Sequence, residues 1–360
     1  MAVSLPSDER FEVLLKKMSE LGIETFIVSD LHVIRWLTGF SGSSARVLLA
    51  QQQNLVFTDF RYREQVKQEV GCMESVIIQN GYAESFVEGG YLQGKRIAIQ
   101  EEQVTVYEAR NLSEKLGGFD IVPVNGFFDE FRMIKSEVEK ADMKRAAAIS
   151  EQTLDKVLPM ITEDATEADI AAEISYWHKR FGAEKDSFDP IVASGPRSAL
   201  PHARPTNEKF RKGELILIDM GCVYNGYASD QTRTVAFGKV CDEARRIHDI
   251  TKDAQLLGIE SARPGMSGLE LDALVRGYIE KHGYGEYFGH GLGHGVGVEV
   301  HEKPRLGKTS KDTLPVHSVF TIEPGIYLPD RYGVRIEDTV VMEESGVVPF
   351  QRFTKELIEL

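Results

Sequence analysis

The chain has 360 residues, enough for two domains that each bury a core. Hydrophobic residues make up 42% and charged residues 27%, a balance typical of a globular protein in water. The formal net charge of −14 argues against a nucleic acid or an anionic membrane surface as partner, because both attract clustered Lys and Arg.

The N-terminal stretch and the cysteines predict the compartment. Residues 1–18 contain no apolar signal core, and no later run approaches the roughly 18 apolar residues of a spanning helix. Cys72, Cys222 and Cys241 are odd in number and lack the CxxC spacing, which favours reduced thiols. We therefore expect a cytoplasmic protein with no membrane span.

Helix-like and strand-like stretches alternate in the first third of the chain. Residues 8–21 have a helical pattern, and another helical pattern covers about 105–117. Between and after them come short apolar runs bounded by turn residues: ETFIVSD, RVLLA, NLVFTDF, SVIIQ, KRIAIQ and DIVPV. This interleaving predicts an α/β domain with a largely buried sheet over residues 1–125, followed by a linker at 126–135.

The rest of the chain, residues 136–360, predicts a second domain of the α+β class. Three capping boxes, Ser136 with Glu139, Thr166 with Asp169 and Ser267 with Glu270, begin helices that end near residues 158, 182 and 282. A further helix is expected at about 242–261. Strand-like ELILIDMGC and YASDQTRTVAFG lie between the helix pairs, and strands are expected at 296–301, 316–328 and 333–342. The elements form two halves of similar order, each with helices before strands.

Residues 289–304 read GHGLGHGVGVEVHEKP and space His290, His294 and His301 with glycine and small aliphatics. The run lacks the endings of a dinucleotide-binding fingerprint or a P-loop. It also lacks the glutamate of HEXXH, and so much glycine disfavours a helix. Two interpretations stay open: a platform that presents side chains to a ligand, or a turn-rich connection.

The dipeptide Asn225-Gly226 predicts a two-residue hairpin turn inside ELILIDMGCVYNGYASDQTRTV. With that turn Tyr224 pairs with Tyr227, and counting outward makes Asp219 and Asp230 diagonal neighbours on one sheet face, with backbones roughly 7–8 Å apart. Two carboxylates so placed repel each other unless a cation lies between them.

A second hairpin repeats this arrangement. In HSVFTIEPGIYLPDRYGVRIEDTV, a turn centred on Asp330 places Glu323 opposite Glu337. Asp219 ends an apolar run and Glu323 interrupts another, so burial is expected. Four carboxylates and one imidazole suit two manganese-like ions better than a structural zinc. Such a pair of ions would support hydrolysis of a carbonyl or phosphoryl substrate.

Four segments carrying these residues resemble the "pita-bread" metallopeptidases, and within them the Xaa-Pro dipeptidases (prolidases) and Xaa-Pro aminopeptidases. The segments are FDPIVASGPRSALPHARP at 188–205, IDMGCVYNGYASDQTRTV at 218–235, GHGLGHGVGVEVHEKPR at 289–305 and TIEPGIYLPDRYGVRIEDTV at 321–340. WLTGFSGS at 36–43 and FTDFRY at 57–62 look like the accessory domain of the same family. The resemblance implies a C-terminal pita-bread (creatinase/methionine aminopeptidase-like) catalytic domain after an N-terminal α/β creatinase-like accessory domain.

The resemblance also implies a role for each candidate residue. Asp230 and Glu337 would bridge two divalent ions, Asp219 would complete one site, and His294 and Glu323 the other. The ions implied are Mn²⁺, with Co²⁺ or Zn²⁺ as alternatives. By position, Glu323 would also be the proton shuttle, and His202 and His301 would be catalytic histidines that stabilise the tetrahedral intermediate. The residues implied on the substrate side are His290, Arg305, Tyr327 and Arg335. Of these, Arg335 and Tyr327 resemble groups that hold the metal-binding carboxylates in place.

The implied reaction is hydrolysis of the Xaa-Pro bond, in dipeptides if Arg305 pairs with the free carboxylate of the substrate. An aminopeptidase P that releases the first residue of longer peptides is the alternative, because such relatives can carry a similar Pro-Arg pair. A non-catalytic binding module on the same fold would be expected to lack metal ligands, and none is missing here. Family members are commonly homodimers, so a homodimer is expected.

Overall fold

The computed structural model describes residues 7–360, which form two compact units, residues 7–130 and residues 131–360. In chain order the first unit contains α1 Ser7–Glu20, β1 Thr25–Val28, α2 Leu31–Thr38, β2 Ala45–Ala50, β3 Leu55–Thr58, α3 Arg63–Glu69, β4 Glu74–Ile77, α4 Tyr82–Glu88, β5 Arg96–Gln100, α5 Val106–Lys115 and β6 Asp120–Val124. The helix α6, Asp129–Met133, follows. The six apolar runs identified in the sequence thus correspond to the six strands β1–β6.

The first unit is a six-stranded mixed sheet in the order β4-β3-β2-β1-β5-β6. Strand β2 runs antiparallel to β1 and β3, and the remaining neighbours are parallel. The four central strands are buried, and the edge strands β4 and β6 are half-buried. The predicted α/β class is confirmed; the short helices α2, α3 and α4 were not predicted, because seven or eight residues give too few periods for a pattern.

The second unit has four long helices and thirteen strands. The helices are α7 Glu137–Val157, α8 Glu167–Arg180, α9 Asp242–Ser261 and α10 Gly268–Lys281. The strands are β7 Lys185–Asp186, β8 Ile191–Ser194, β9 Glu214–Met220, β10 Cys222–Tyr224, β11 Tyr227–Ala228, β12 Gln231–Phe237, β13 Gly293–Gly295, β14 Glu302–Leu306, β15 Val319–Ile322, β16 Gly325–Leu328, β17 Tyr332–Arg335, β18 Asp338–Glu343 and β19 Gly346–Pro349.

All three predicted capping boxes form, at Ser136, Thr166 and Ser267, with the side chains bonded in both directions. Each box satisfies backbone N–H groups that the first helical turn cannot use, which is why the sequence locates these helix starts so closely. Helix α9 has the predicted bounds, although its N-cap, Cys241, makes no side-chain cap bond.

The second unit is built from two similar halves. One apolar cluster joins α7 and α8 to the sheet β12-β9-β8 and includes Leu154, Ile174 and Ile218. Another joins α9 and α10 to the sheet β14-β13-β15-β18-β19 and includes Ile247, Val275 and Phe320. Helices therefore cover one face of each sheet, as the predicted α+β order requires.

Three predicted strands differ from those in the structure. No strand covers 296–301; β13 and β14 lie on either side of that segment. The single strands expected at 316–328 and 333–342 are each divided in two, at Glu323-Pro324 and at Ile336-Glu337. Proline lacks an N–H for the ladder, and both divisions fall at glutamates whose side chains enter the site described next.

Candidate metal centre

The first hairpin of the site turns at Asn225 and Gly226, which have φ of 46° and 85°. Two positive φ values define the type I′ turn that the dipeptide predicts. Tyr224 pairs with Tyr227, and beyond a break in the ladder Asp219 pairs with Thr232 in the same register. The register therefore makes Asp219 and Asp230 diagonal neighbours.

Gly221 allows the break in this ladder. A Cβ at this position would lie 2.0 Å from the backbone oxygen of Ser229, so a larger residue would push the strands apart. Asp230 lies in the break, between β11 and β12, and its carboxylate is not part of a regular sheet face. The hairpin thus bends at the position of its second acid, Asp230.

The second hairpin turns around Asp330, whose φ is 59°. On either side of a break, Gly325 pairs with Arg335 and Ile322 pairs with Asp338, in one continuous register. Glu323 and Glu337 lie opposite each other in this break, as the sequence predicts. The N–H of Glu337 donates to the Thr232 oxygen at 3.1 Å, which joins the second hairpin to the first.

The glycine-rich run supplies the imidazole. Strand β13 places His294 so that its Nε2 lies 3.2 Å from Glu323 Oε1 and 3.6 Å from Asp230 Oδ2. His294 Nδ1 lies 3.1 Å from the Gly295 oxygen, a contact in which Nδ1 carries the proton. Nε2 then carries no proton and faces two carboxylates, which is the state in which an imidazole nitrogen binds a metal ion.

Alternate glycines of the run allow other chain segments to approach it. A Cβ at Gly291, Gly293 or Gly295 would lie within 2.0–2.5 Å of a backbone oxygen, and at Gly297 it would lie 2.4 Å from the Glu302 carboxylate. These contacts explain why the run is neither a helix nor a phosphate-binding loop. Its glycines are needed for close packing around a crowded site.

The five side chains form a dense, buried acidic centre. Asp219, Asp230 and Glu337 are each less than one-tenth exposed. Burial, together with the neighbouring carboxylates, holds the pKa of Asp230 and of Glu337 well above the usual range. Burial also raises the pKa of Asp219, against the effect of Arg335. Burial acts to raise the pKa of Glu323 as well, but its contact with His294 outweighs this and lowers that pKa to about 2.

The donor set fits divalent cations. Asp230, His294 and Glu337 each present a ligand atom, and these atoms lie within 4.8 Å of one another. Asp219 Oδ1 is buried and has no hydrogen-bond partner within residues 7–360. Leaving such groups ionised and unpaired is costly, and a cation among them removes that cost.

A chain of hydrogen bonds extends from this centre to His290. Arg335 donates from Nη2 to Asp219 Oδ2 at 2.6 Å and from Nη1 to the Tyr327 hydroxyl at 2.7 Å, and that hydroxyl lies 2.9 Å from His290 Nε2. Burial raises the pKa of Tyr327 to about 12 and lowers that of His290. A protonated phenol and a neutral imidazole therefore lie beside the centre at neutral pH.

The remaining predicted residues border one cleft of about 840 Å³ with the acidic centre on its wall. His202, His301 and Arg305 all line it. The His301 ring lies 4.2 Å from that of His294, and burial lowers the pKa of His301 to about 4. Tyr327 alone among the predicted site residues does not line the cleft; it reaches the site through Arg335 and His290.

Two threonines contribute to the centre and were not predicted. Thr232 Oγ1 donates to Glu337 Oε2 at 2.6 Å, and Thr321 Oγ1 donates to Glu323 Oε1 at 3.1 Å while accepting from the His294 N–H. The hairpin register could have indicated Thr232, because it places this residue opposite Asp219. Nothing comparable in the sequence indicates Thr321.

Comparisons with known proteins place this site in a family. Residues 141–344 match Metallopeptidase family M24, and residues 10–134 match the Creatinase/Prolidase N-terminal domain. The chain belongs to metallopeptidase family M24, and the family's dependence on divalent metal ions agrees with the buried carboxylates.

Individual relatives cover almost the whole chain. The peptidase YqhT of Bacillus subtilis is 37% identical over 98% of this chain and 100% of its own length. The structure of a Xaa-Pro dipeptidase from Bacillus anthracis has a TM-score of 0.95 at 34% identity, covering 99% of this chain and 100% of that one. An X-Pro aminopeptidase from Thermotoga maritima has a TM-score of 0.89 at 35% identity, covering 96% and 100%. The pita-bread fold with a creatinase-like N-terminal domain is confirmed.

Two further expectations concern the whole chain. Every helix within residues 7–360 is too short or too polar to cross a membrane. Cys222 and Cys241 carry free thiols.

Proposed function

We propose that this protein is a Xaa-Pro dipeptidase that binds two divalent ions and cleaves the bond before proline. The observation that carries the proposal is a set of four carboxylates and one imidazole on the wall of a cleft, all buried except the partly exposed Glu323. The similarity to the Bacillus anthracis Xaa-Pro dipeptidase over the full chain supports this substrate class.

The proposed ligands divide between the two ions. Asp230 and Glu337 would be shared, Asp219 would complete one site, and His294 with Glu323 the other. An oxygen-rich set favours Mn²⁺, with Co²⁺ and Zn²⁺ as the other candidates. Bound ions would polarise the scissile carbonyl and make water a better nucleophile near neutral pH.

The proton-handling roles fall to side chains around the ligands. Glu323 is ionised and can accept the proton of the attacking water, then pass it to the leaving nitrogen. His301 is neutral because its pKa is about 4, so it can donate a hydrogen bond to the oxygen that gains charge. We propose the same role for His202, which lines the same cleft. His290, Tyr327 and Arg335 would keep Asp219 and the substrate side of the cleft oriented.

Arg305 is the proposed site for the free carboxylate of the dipeptide. Its side chain is exposed on the cleft wall, and within residues 7–360 no carboxylate forms an ion pair with its guanidinium. Its backbone is fixed, because its N–H donates to Asp312 at 2.8 Å and its oxygen accepts from Ser310 at 2.6 Å. A fixed strand that presents an unpaired guanidinium suits a carboxylate ligand.

The substrate class is tested with Xaa-Pro dipeptides, their C-terminal amides and Xaa-Pro-Xaa tripeptides, each with added Mn²⁺. We expect Arg305→Gln to raise KM for the dipeptide about tenfold or more and to leave KM for the amide nearly unchanged, because only the dipeptide has the carboxylate. Lys308→Gln, which removes an exposed cation from the turn after β14 and outside the cleft, is the control. Absence of any turnover by the metal-loaded wild type would refute the peptidase proposal.

Aminopeptidase P activity is the second candidate. It is favoured by the similarity to the Thermotoga maritima X-Pro aminopeptidase and by a cleft of about 840 Å³, which has space beyond a dipeptide. Equal or faster cleavage of tripeptides than of dipeptides by the wild type would assign this activity instead.

We further propose a cytoplasmic homodimer in which residues 1–125 form the accessory domain, residues 126–135 the linker and residues 136–360 the catalytic domain. The free thiols of Cys222 and Cys241 support a reducing compartment. Sedimentation of the purified protein and assay of residues 136–360 alone would test the assembly and the domain bounds.

A further inference from the structure

Glu302 directly follows His301, and cations enclose its carboxylate on both sides. Lys135 Nζ donates to Oε1 at 2.6 Å, and Arg132 Nη2 donates to Oε2 at 2.6 Å. The three side chains are only 2–7% exposed, so water contributes little to holding them. Burial acts to raise the pKa of Glu302, but the two cations outweigh it and lower that pKa, so the carboxylate stays ionised.

Arg132 holds the chain on both sides of His301. Its Nη2 also donates to Glu299 Oε2 at 2.6 Å, so one guanidinium nitrogen contacts the residues two before and one after the histidine. The Gly297 N–H donates to the Glu299 oxygen at 2.9 Å, and Gly297 has no Cβ that would collide with the Glu302 carboxylate. The segment 297–302 is therefore fixed at both ends although it belongs to no strand before Glu302.

Lys135 is itself anchored beside the metal-site strand. Its N–H donates to the His317 oxygen at 2.9 Å, and Ile134 pairs with Ser318. Residue 318 directly precedes β15, and β15 leads into Glu323. The ion pairs thus connect the His301 segment with the strand that carries a proposed ligand.

We infer that Glu302, held by Lys135 and Arg132, is a positioning residue that sets the place of the His301 imidazole in the cleft. The chain bends at His301 and enters β14 at Glu302, so holding the Glu302 carboxylate in the interior fixes the backbone directly beside the residue that carries the imidazole. His301 lies there against the His294 ring. The inference rests on the proposed function, since it is through turnover that the position of His301 matters.

A double-mutant cycle tests the inference on folded, Mn²⁺-loaded protein. We expect Glu302→Gln to lower kcat and kcat/KM together, by about tenfold, with metal content and KM near those of the wild type. Added to His301→Ala, the same change should cost nothing more, because the group that it positions is gone. Added to His202→Ala, the matched control in the same cleft, it should again cost about tenfold.

Two Lys135 variants separate positioning from general stability. Lys135→Met should lower kcat as Glu302→Gln does, whereas Lys135→Arg, which keeps the cation, should recover most of it. If Glu302→Gln does not fold, the charge-balanced pair Glu302→Gln with Lys135→Met leaves the Arg132–Glu299 ion pair and takes its place in the cycle.

The outcomes separate the two proposals. Unchanged kcat per folded, metal-loaded molecule, or an equal loss on the His301→Ala and His202→Ala backgrounds, would overturn the positioning role while the peptidase activity stands. A wild type without turnover would instead remove the proposed function.

Discussion

The two hairpins of the site reach the same result with different turns. The first turns in two residues at Asn225-Gly226, and the second uses a longer turn around Asp330. Each keeps one register across a break in its ladder, and acids lie at the break. The first hairpin places Asp230 in the break but leaves Asp219 in the ladder, whereas the second places both Glu323 and Glu337 in its break.

This difference makes the hairpins depend on each other. Asp219 receives its fixed orientation from Arg335, which belongs to the second hairpin. Glu337 donates its N–H to the backbone oxygen of Thr232 and its carboxylate accepts from the Thr232 hydroxyl, and Thr232 belongs to the first hairpin. A hairpin can determine which residues are opposite each other, but here the orientation of Asp219 and of Glu337 comes from the other hairpin.

The largest expected effect comes from removing one shared acid from either hairpin. Asp230→Asn and Glu337→Gln should each abolish detectable turnover and lower the metal content, because each removes a charge proposed to contact both ions. Elemental analysis and peptidase assays measure this. Asp330→Asn, which alters an exposed acid in the second turn, should keep both the metal and the activity. Full metal content in Asp230→Asn would remove Asp230 from the ligand set.

A smaller effect is expected from pH. Without metal, Asp230 and Glu337 have raised pKa values in the folded state, so their stabilising contribution exists at low pH and is lost as the pH rises through those values. Metal binding requires the deprotonated acids and therefore strengthens as the pH rises. The difference in Tm between Mn²⁺-loaded and chelator-treated protein should widen from pH 5.5 to pH 8.

Calorimetry in this range avoids the opposite contribution of Glu323, whose pKa of about 2 confines its titration to more acidic solution. The Asp330→Asn variant should repeat the wild-type trend, and Asp230→Asn should flatten it. A difference in Tm that stays constant with pH would contradict the buried-acid explanation.

The smallest effect distinguishes the two turns. Gly226 has φ of 85°, so Gly226→Ala should lower the free energy of unfolding by about 1–2 kcal/mol. Asp330 already adopts a positive φ, and Asp330→Gly should change stability by less than about 1 kcal/mol, since relief of strain is offset by a more flexible unfolded chain. Urea unfolding measures both. Equal losses of unfolding free energy in the two variants would mean that the two-residue turn and the longer turn fix the registers of their hairpins equally strictly.

The sequence predicted those parts of the fold in which local chemistry is decisive. The three capping boxes and the Asn225-Gly226 turn are satisfied by residues close in the chain, and each forms as predicted. The strand expected at 296–301 is wrong because the alternation of small residues there reflects close packing against Glu302 and neighbouring backbone, not a sheet. The cations that hold Glu302 there, Arg132 and Lys135, come from a segment distant in sequence and leave no periodic signal.

The candidate site divides in the same way. Turn type and register determined from the sequence alone which acids oppose each other, because a hairpin is a local structure with a period of two. Only the tertiary structure decided that His294 meets both acid pairs, that Arg335 holds Asp219, and that Arg132 and Lys135 enclose Glu302. The physical reason is range: these contacts join residues from separate segments, and packing of the two halves, not local propensity, brings them together.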